Sequence, residues 1–407
     1  MALQLNENRM GMIQPSATLE MARKARALRL AGVDVANLSA GEPDFPTPAC
    51  IRDAAVRALG EGTKATHYTP ARGTEELIEA MRTKLRRDQG VAFETAEMIP
   101  TVGTKGGLSL AFDALLGAGD EVIIFSPYWV TYPDLVRLSG ATPVIVPTER
   151  ANGYQPDPER LRAAITPRTK ALVLNTPGNP TGAGLGRDCI QALMKEVEGS
   201  DIWVLSDEIY EKLTYDGFQH TSPLSVSDDA RSRTLFLGGV AKGYAMTGWR
   251  LGVAAGPQKL IDAMILLQQQ RVTCPTGVAQ AAAAYAMTEP PEVVSALDEM
   301  RDAYAKRRAL VLDDLRKIPG FHVHAPEGAF YCFVDIRERL PGARNGHEIR
   351  DDITLATRLL EEANVAVVPG TPFGAPGGFR ISFASAESNL KKGVGRIAEW
   401  MTGLAGS

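Results

Sequence analysis

The sequence predicts an α/β protein with a mostly parallel sheet covered by helices on both faces, followed by a smaller α+β unit. Three observations predict it. Between about residues 100 and 256, short runs rich in β-branched residues ("EVIIF", "TPVIV", "KALVL", "DIWVL", "TLFLG") alternate with longer stretches of helical periodicity. The strand runs are apolar on both faces, as strands buried within a parallel sheet must be. Near residue 290 the texture changes, and two prolines open a long amphipathic helix, "PPEVVSALDEMRDAYAKRRALVLDDLRKI".

The elements follow in order. An N-terminal helix from about Leu19 to Ala31, ended by Gly32, is expected to pack with the C-terminal unit. "GGLSLAFDALLGAGD" and "DCIQALMKEVEGSD" read as helices between strands. Beyond the long helix come strand-like "GAFYCFVDI", helical "ITLATRLLEEANV" and strand-like "FRISFA". This organisation places a large domain at 48–288 and a small domain made of 1–47 together with 289–407.

Composition narrows the function. The chain has 407 residues, 44% apolar and 23% charged, ordinary values for a folded globular protein of two or three domains. Net charge is −4 and no basic stripe stands out, which argues against nucleic acid as a partner. "KLRRDQG" and "AYAKRRAL" read as solvated helix faces. Cys50, Cys189, Cys274 and Cys332 form no CxxC pair, and with five histidines no zinc spacing arises. No metal site is expected, and the cysteines read as buried free thiols in a reducing compartment. No apolar run is long enough to span a bilayer. The N-terminus lacks the apolar core of a secretory signal, and Glu7 and Glu20 argue against an organellar leader, so a cytoplasmic protein is expected.

Sites in parallel sheets lie at the carboxyl ends of the strands, which directs attention to Asn175, Asp207 and the stretch up to Lys242. Lys242 sits among small residues in "GGVAKGYAMTGWRLG". A lone lysine is by default a surface lysine. The alternative is an amine in a pocket, its pKa lowered, poised to form a Schiff base with a carbonyl. Four further pieces favour the second reading. "TVGTKGG" offers a Gly-rich turn at a helix N-terminus, suited to a phosphate. "SPYWVTYP" puts Trp129 after a strand, where it stacks on a ring or fills the core. "NTPGNPTG" carries Asn175 and Asn179 in a Pro/Gly-rich loop. "VLSDEIY" puts Asp207 after an apolar strand, as a buried carboxylate needing a partner or as a helix cap, with Tyr210 three residues on. A phosphate cradle, a stacking ring, a hydroxyl donor, a carboxylate for a pyridinium nitrogen and a reactive lysine are together what pyridoxal phosphate requires. Arg250 then has a role, as a fixed guanidinium for the phosphate.

The order of these motifs resembles the fold-type I, class I and II pyridoxal-phosphate-dependent aminotransferases, in the branch of the bacterial aspartate aminotransferases. The resemblance runs through "PSAT", "AGEPDFPTP", "HYTPARGTEELIEAM", "TVGTKGGL", "SPYWVTYP", "ITPRTKALVLNTPGNPTG", "SDEIYEKL", "AKGYAMTGWRLG", "VVPGTPFG" and "FRISFA", essentially the whole chain. It implies a mostly parallel seven-stranded sheet in the large domain and pyridoxal 5'-phosphate as cofactor. It implies that Lys242 carries the cofactor as an internal aldimine and acts as base and acid. Asp207 keeps the pyridine nitrogen protonated, Asn179 and Tyr210 bond the ring oxygen, and Trp129 stacks on the ring. Gly103, Thr104, Lys105 and Arg250 hold the phosphate, with Tyr68 reaching in from the neighbouring subunit of a homodimer. Arg380 binds the substrate α-carboxylate, assisted by Gly41 and Asn179, with Trp129 at its side.

The chain departs from many relatives at Gly239 and Ala241, where serines are common, and at Gly238, where Asn is. Lys105, with Ser16 and Thr18, matches residues that meet a distal carboxylate. Aspartate with 2-oxoglutarate is therefore the first expectation for the substrates, with ping-pong kinetics, and prephenate the second. Arg271 stands where a small polar residue is usual; it either widens the range toward aromatic or other donors or is a surface or dimer-contact arginine. A C–S lyase is a more distant reading on the same scaffold. A non-catalytic regulatory domain is another, but no helix-turn-helix with a basic face precedes "AGEPDF".

Overall fold

Seven strands build the central sheet of the protein, whose computed structural model describes residues 6–344 and 346–406. They are β1 (Met98–Val102), β2 (Glu121–Ser126), β3 (Thr142–Pro147), β4 (Thr169–Asn175), β5 (Trp203–Asp207), β6 (Thr234–Gly239) and β7 (Leu251–Ala255). Their order is β1-β7-β6-β5-β4-β2-β3. Only β7 runs against its neighbours, antiparallel to both β1 and β6; the pairs among β2 to β6 are parallel.

The doubly apolar strands face two cores. Val122 and Ile124 of β2, Val173 of β4, Leu205 of β5 and Leu237 of β6 pack with the helices Gly103–Leu115, Thr131–Leu138 and Gln258–Arg271. The alternate residues Ile123, Leu172, Leu174 and Val204 pack with the helix Arg187–Val197 on the other face. Each such aliphatic side chain contributes about 1.5–3 kcal/mol by leaving water, so the alternation fixes the register of the sheet.

The C-terminal part follows the expected order. The long helix spans Pro291–Leu315, and the helix Asp352–Ala363 and strands Tyr331–Asp335 and Gly378–Ser382 come after it. Those two strands are the middle pair of a four-stranded antiparallel sheet. The N-terminal helix runs Ala17–Leu30, so it starts two residues before the expected Leu19, with Ser16 as its N-cap residue. Met21 and Ala25 of this helix lie in one core with Tyr304, Phe379 and Trp400. A short parallel pairing of Ala36–Asn37 with Val365–Ala366 ties the same segment down.

The expectation of buried thiols needs correction. All four cysteines are free, but only Cys332 is buried; Cys50, Cys189 and Cys274 are half-buried, the first two at the rims of apolar cores rather than inside them. Among the described residues, no helix is long and apolar enough to cross a membrane.

This architecture positions the site in two ways. The parallel register sets Asn175 opposite Asp207 at the ends of β4 and β5, and β6 ends three residues before Lys242. The small sheet delivers Arg380 from the other side, in register with Phe333.

Candidate active site

Asp207, 3% exposed, is the last residue of β5 and caps no helix, because the chain turns rather than coils after it. Its Oδ2 accepts the hydroxyl of Tyr132 at 2.7 Å. Asn175 Nδ2 donates to the Asp207 carbonyl at 2.9 Å, and Asn175 Oδ1 accepts the backbone N–H of Asn179, also at 2.9 Å. Burial pushes the carboxyl up to about 6, and the Tyr132 hydroxyl only partly offsets it. Asp207 is thus a carboxylate placed where no described cation pairs with it.

Lys242 is the converse. Burial lowers its amine to about 8, with Glu42 opposing and Arg380 and Arg250 adding to the fall. Its Nζ donates to the carbonyl of Gly41 and stands 5.8 Å from the centre of the Phe330 ring. An amine so lowered is uncharged in a far larger fraction near neutral pH than an ordinary lysine, which suits it to act as a base.

At the end of β1 the helix Gly103–Leu115 begins with Val102 at its N-cap and no side chain bonded to its first N–H groups. Those donors are free for an anion. Arg250 aims at them from a left-handed backbone, φ 55°, with Nη1 anchored on the Thr247 carbonyl at 2.8 Å. A Cβ on Gly103 would lie 2.6 Å from Arg250 Nη2, so only glycine leaves this approach open. Thr104 Oγ1 donates to the Gly238 carbonyl at 2.9 Å, joining the cradle to the end of β6. Lys105 Nζ lies 4.9 Å from the centre of the half-buried Trp129 ring, and burial and the nearby Arg250 lower its pKa. The departure at Gly239 has a structural cause. Its φ is 148°, and a Cβ there would lie 2.9 Å from the Cα of Gly252 in β7.

Arg380 is 1% exposed. Its Nη1 donates to Asn179 Oδ1 at 2.9 Å and its Nη2 to the Ser39 carbonyl at 2.8 Å, while Nε is buried without a partner. Its guanidinium lies 4.3 Å from the centre of the Tyr331 ring. Among the described residues no carboxylate pairs with it, and burial lowers its pKa. The Tyr331 hydroxyl meets that of Tyr210 at 3.1 Å, and a Cβ on Gly41 would lie 3.7 Å from it.

The structure therefore brings Gly41, Gly103, Thr104, Lys105, Trp129, Asn179, Asp207, Tyr210, Lys242, Arg250 and Arg380 around one region, through the contacts above. Four other residues join no part of this network. Tyr68 is 87% exposed on the surface. Thr18 is half-buried in the first turn of its helix, and neither its hydroxyl nor that of Ser16 bonds to the site. Arg271 ends the helix Gln258–Arg271 and pairs with Asp113 at 2.6 Å.

Over residues 33–397 the chain matches the family described as Aminotransferase class I and II. The chain belongs to the class I and II aminotransferases. This aminotransferase is 45% identical over 397 residues to the aspartate aminotransferase of Geobacillus stearothermophilus, covering 98% of this chain and 99% of that one. It is 45% identical over 386 residues to the aspartate/prephenate aminotransferase of Thermus thermophilus, covering 95% and 96%. It is also similar to the solved structure of Thermus thermophilus aspartate aminotransferase with maleate, at a TM-score of 0.91 and 44% identity, covering 98% of this chain and 100% of that one.

Sequence reasoning missed Tyr132 and Tyr331 in this aminotransferase, and gave Asn175 no partner. Tyr132 had a readable signal, a second aromatic three residues after Trp129 at the start of a helix. The Ser39 carbonyl had none, since a backbone acceptor leaves no side-chain signature.

The Asp207 carboxyl also has a consequence for stability in the cofactor-free aminotransferase. Its pKa of about 6 when folded exceeds the ordinary 3.8, so the folded chain holds the proton more tightly than the unfolded chain. That contribution is fully present below pH 3.8 and is lost as pH rises through about 6. A shift of about two units corresponds to roughly 3 kcal/mol. Asp207→Asn, which cannot ionise, is expected to melt above wild type at pH 8, with the gap closing as pH falls toward 4. Thermal melts of the cofactor-free proteins across that range measure it.

Proposed function

We propose that this aminotransferase uses pyridoxal 5'-phosphate to move the amino group of L-aspartate to 2-oxoglutarate. The observation that supports an amino-acid substrate is Arg380, a buried guanidinium with an orphaned Nε and no carboxylate partner among the described residues. A buried charge needs a counter-charge, and the α-carboxylate of an amino acid is a planar anion suited to that fork.

The residues fit the cofactor on their own chemistry. The uncapped helix start at Gly103, with Thr104, Lys105 and Arg250, suits a phosphate dianion. Asp207, raised by burial, suits a protonated ring nitrogen. Tyr210 and Asn179 supply donors toward a ring oxygen, and Trp129 a stacking face. When bound, the cofactor supplies the electron sink that acidifies the substrate Cα–H. Arg380, with Asn179 and the Gly41 segment, orients the substrate so that this bond faces Lys242. Lys242 Nζ takes the Cα proton and returns it on the far side of the transferred nitrogen, as base and then acid. Asp207 would favour positive charge at the ring nitrogen when the cofactor is bound. Exposed Tyr68 would serve the phosphate in a neighbouring subunit if the working unit is a homodimer.

Acidic substrates are favoured by Lys105, a second cation beside the cradle, and by the names of the relatives. The Thermus enzyme was solved with maleate, a dicarboxylate. Prephenate is the second reading, because it too carries a distal carboxylate and one relative at 45% identity is named for it.

The test is a split between the two cations. A charge-assisted hydrogen bond is worth about 1.5–3 kcal/mol, or about ten- to a hundredfold in rate. Lys105→Ala is expected to lower kcat/KM by that factor for aspartate, glutamate and prephenate, and to leave phenylalanine and alanine nearly unchanged. The assay is run at saturating pyridoxal phosphate. If saturation alone restores aspartate activity, Lys105 serves only the phosphate and the acidic-substrate reading loses its support.

A further inference from the structure

Behind Asp207, on the opposite face of β5, lies a second buried cluster that the reaction above does not use. Glu208 follows Asp207 directly, so its side chain points the other way, and it is fully buried. Its Oε1 accepts Ser206 Oγ at 2.8 Å and Ser222 Oγ at 2.6 Å, and its Oε2 meets His220 Nε2 at 2.6 Å. Its backbone N–H donates to the Leu237 carbonyl at 2.8 Å, which locks residues 207 and 208 to β6.

Glu211 is close by: one ligating atom from each of Glu208, Glu211 and His220 lies within 4.8 Å of the others. Glu211 has its own cation, the ammonium of Lys84, which is 1% exposed and also pairs with Asp88 at 3.0 Å. Gln89 Nε2 donates to its other oxygen at 2.6 Å. Among the described residues no lysine or arginine pairs with Glu208, and the titratable group paired with it that can carry positive charge is His220. Burial lowers the His220 pKa and Lys84 opposes the charge, but the hydrogen bond and charge of Glu208, with Glu211 beyond, outweigh them and raise it. His220 Nδ1 is buried without a partner, so what the imidazole contributes here lies at Nε2.

The charge of Glu208 also reaches forward, where it raises the Asp207 pKa and so opposes the ionised form. We propose that His220 is a positioning residue for the reaction: as an imidazolium it cancels Glu208 and thereby keeps Asp207 ionised against the ring nitrogen of the cofactor. This rests on the reading that Asp207 faces that nitrogen. It makes a prediction that a merely structural role does not. Removing His220 alone leaves a bare negative charge behind Asp207, whereas removing both charges leaves none, so the double variant should be better than the single one.

The experiment uses holoenzyme reconstituted with pyridoxal 5'-phosphate carrying nitrogen-15 in its ring, read by NMR, beside the rate of the aspartate half-reaction. Wild type and Glu208→Gln are expected to show the signal of a protonated ring nitrogen. His220→Asn is expected to shift toward the unprotonated position and slow the half-reaction about tenfold or more. Glu208→Gln with His220→Asn is expected to return both toward wild type. A protonated signal in His220→Asn, or a double variant no better than the single, overturns the inference. If His220→Asn does not fold, the wild-type titration decides: its protonated signal should be lost at lower pH than in Glu208→Gln, and coincident curves overturn the inference. Asp207→Asn separates the two readings. If it leaves the signal unchanged, the placement of Asp207 at the ring nitrogen fails; if it moves the signal while the His220 variant does not, only the present inference fails.

Discussion

Lys242→Ala folds, still binds pyridoxal phosphate, and loses amino transfer by at least about 10⁴-fold in kcat, the upper range for removing a positioned acid–base group. The proposed phosphate cradle, the Gly103 helix start with Arg250, does not include this amine, so cofactor affinity is expected to change far less than turnover. Lys242→Arg loses as much, although it keeps the charge. A guanidinium stays protonated at any working pH and cannot take the Cα proton, whereas burial has brought the Lys242 amine down to about 8. Single-turnover measurements with saturating aspartate, beside a cofactor titration, check both halves of the expectation. Turnover within tenfold of wild type in either variant would remove Lys242 from the proton transfer.

Arg380→Ala is the second large effect. A guanidinium that grips a carboxylate through two charge-assisted bonds, each worth about 1.5–3 kcal/mol, supplies about 3–6 kcal/mol. Its loss lowers kcat/KM by about 10²- to 10⁴-fold. Every amino acid has the α-carboxylate, so aspartate, phenylalanine and alanine are expected to suffer alike, in contrast to the selective effect at Lys105. Arg380→Lys rescues little, because a point charge cannot keep both the Asn179 and Ser39 contacts and still present two donors to the substrate. Initial rates with the three donors in each variant measure the pattern. A loss confined to aspartate would assign Arg380 to the distal carboxylate instead.

The sheet was readable where its strands are. β2 to β6 are rich in Val, Ile and Leu facing two cores, the composition of strands buried within a sheet. β1 and β7 were not flagged. β1, "MIPTV", carries Pro100 and lies at the edge of the sheet, where a missing N–H is tolerated. β7, "LGVAA", is small rather than β-branched because the helix start packs onto it: a Cβ on Gly252 would lie 2.4 Å from Thr104 N. The side chains with their own chemistry, Lys242, Asp207, Asn179, Arg250 and Arg380, could be picked from motifs. Their supports could not. Tyr132 reaches Asp207 from 75 residues away, and Tyr331 reaches Tyr210 from 121. Only the folded chain brings them together, and an aromatic in an apolar run reads as core. His220 gave no signal either, because its meaning depends on the charge that Glu208 buries beside it.

In this enzyme one site takes the amino group from aspartate, holds it, and gives it to an oxo acid. This is tested most directly by mixing the holoenzyme with nitrogen-15 aspartate in the absence of any acceptor. One oxaloacetate per active site and then no more is expected, followed by nitrogen-15 glutamate in equal amount when 2-oxoglutarate is added. Oxaloacetate that appears only when both substrates are present, or continued release of labelled ammonia from aspartate alone, would contradict it.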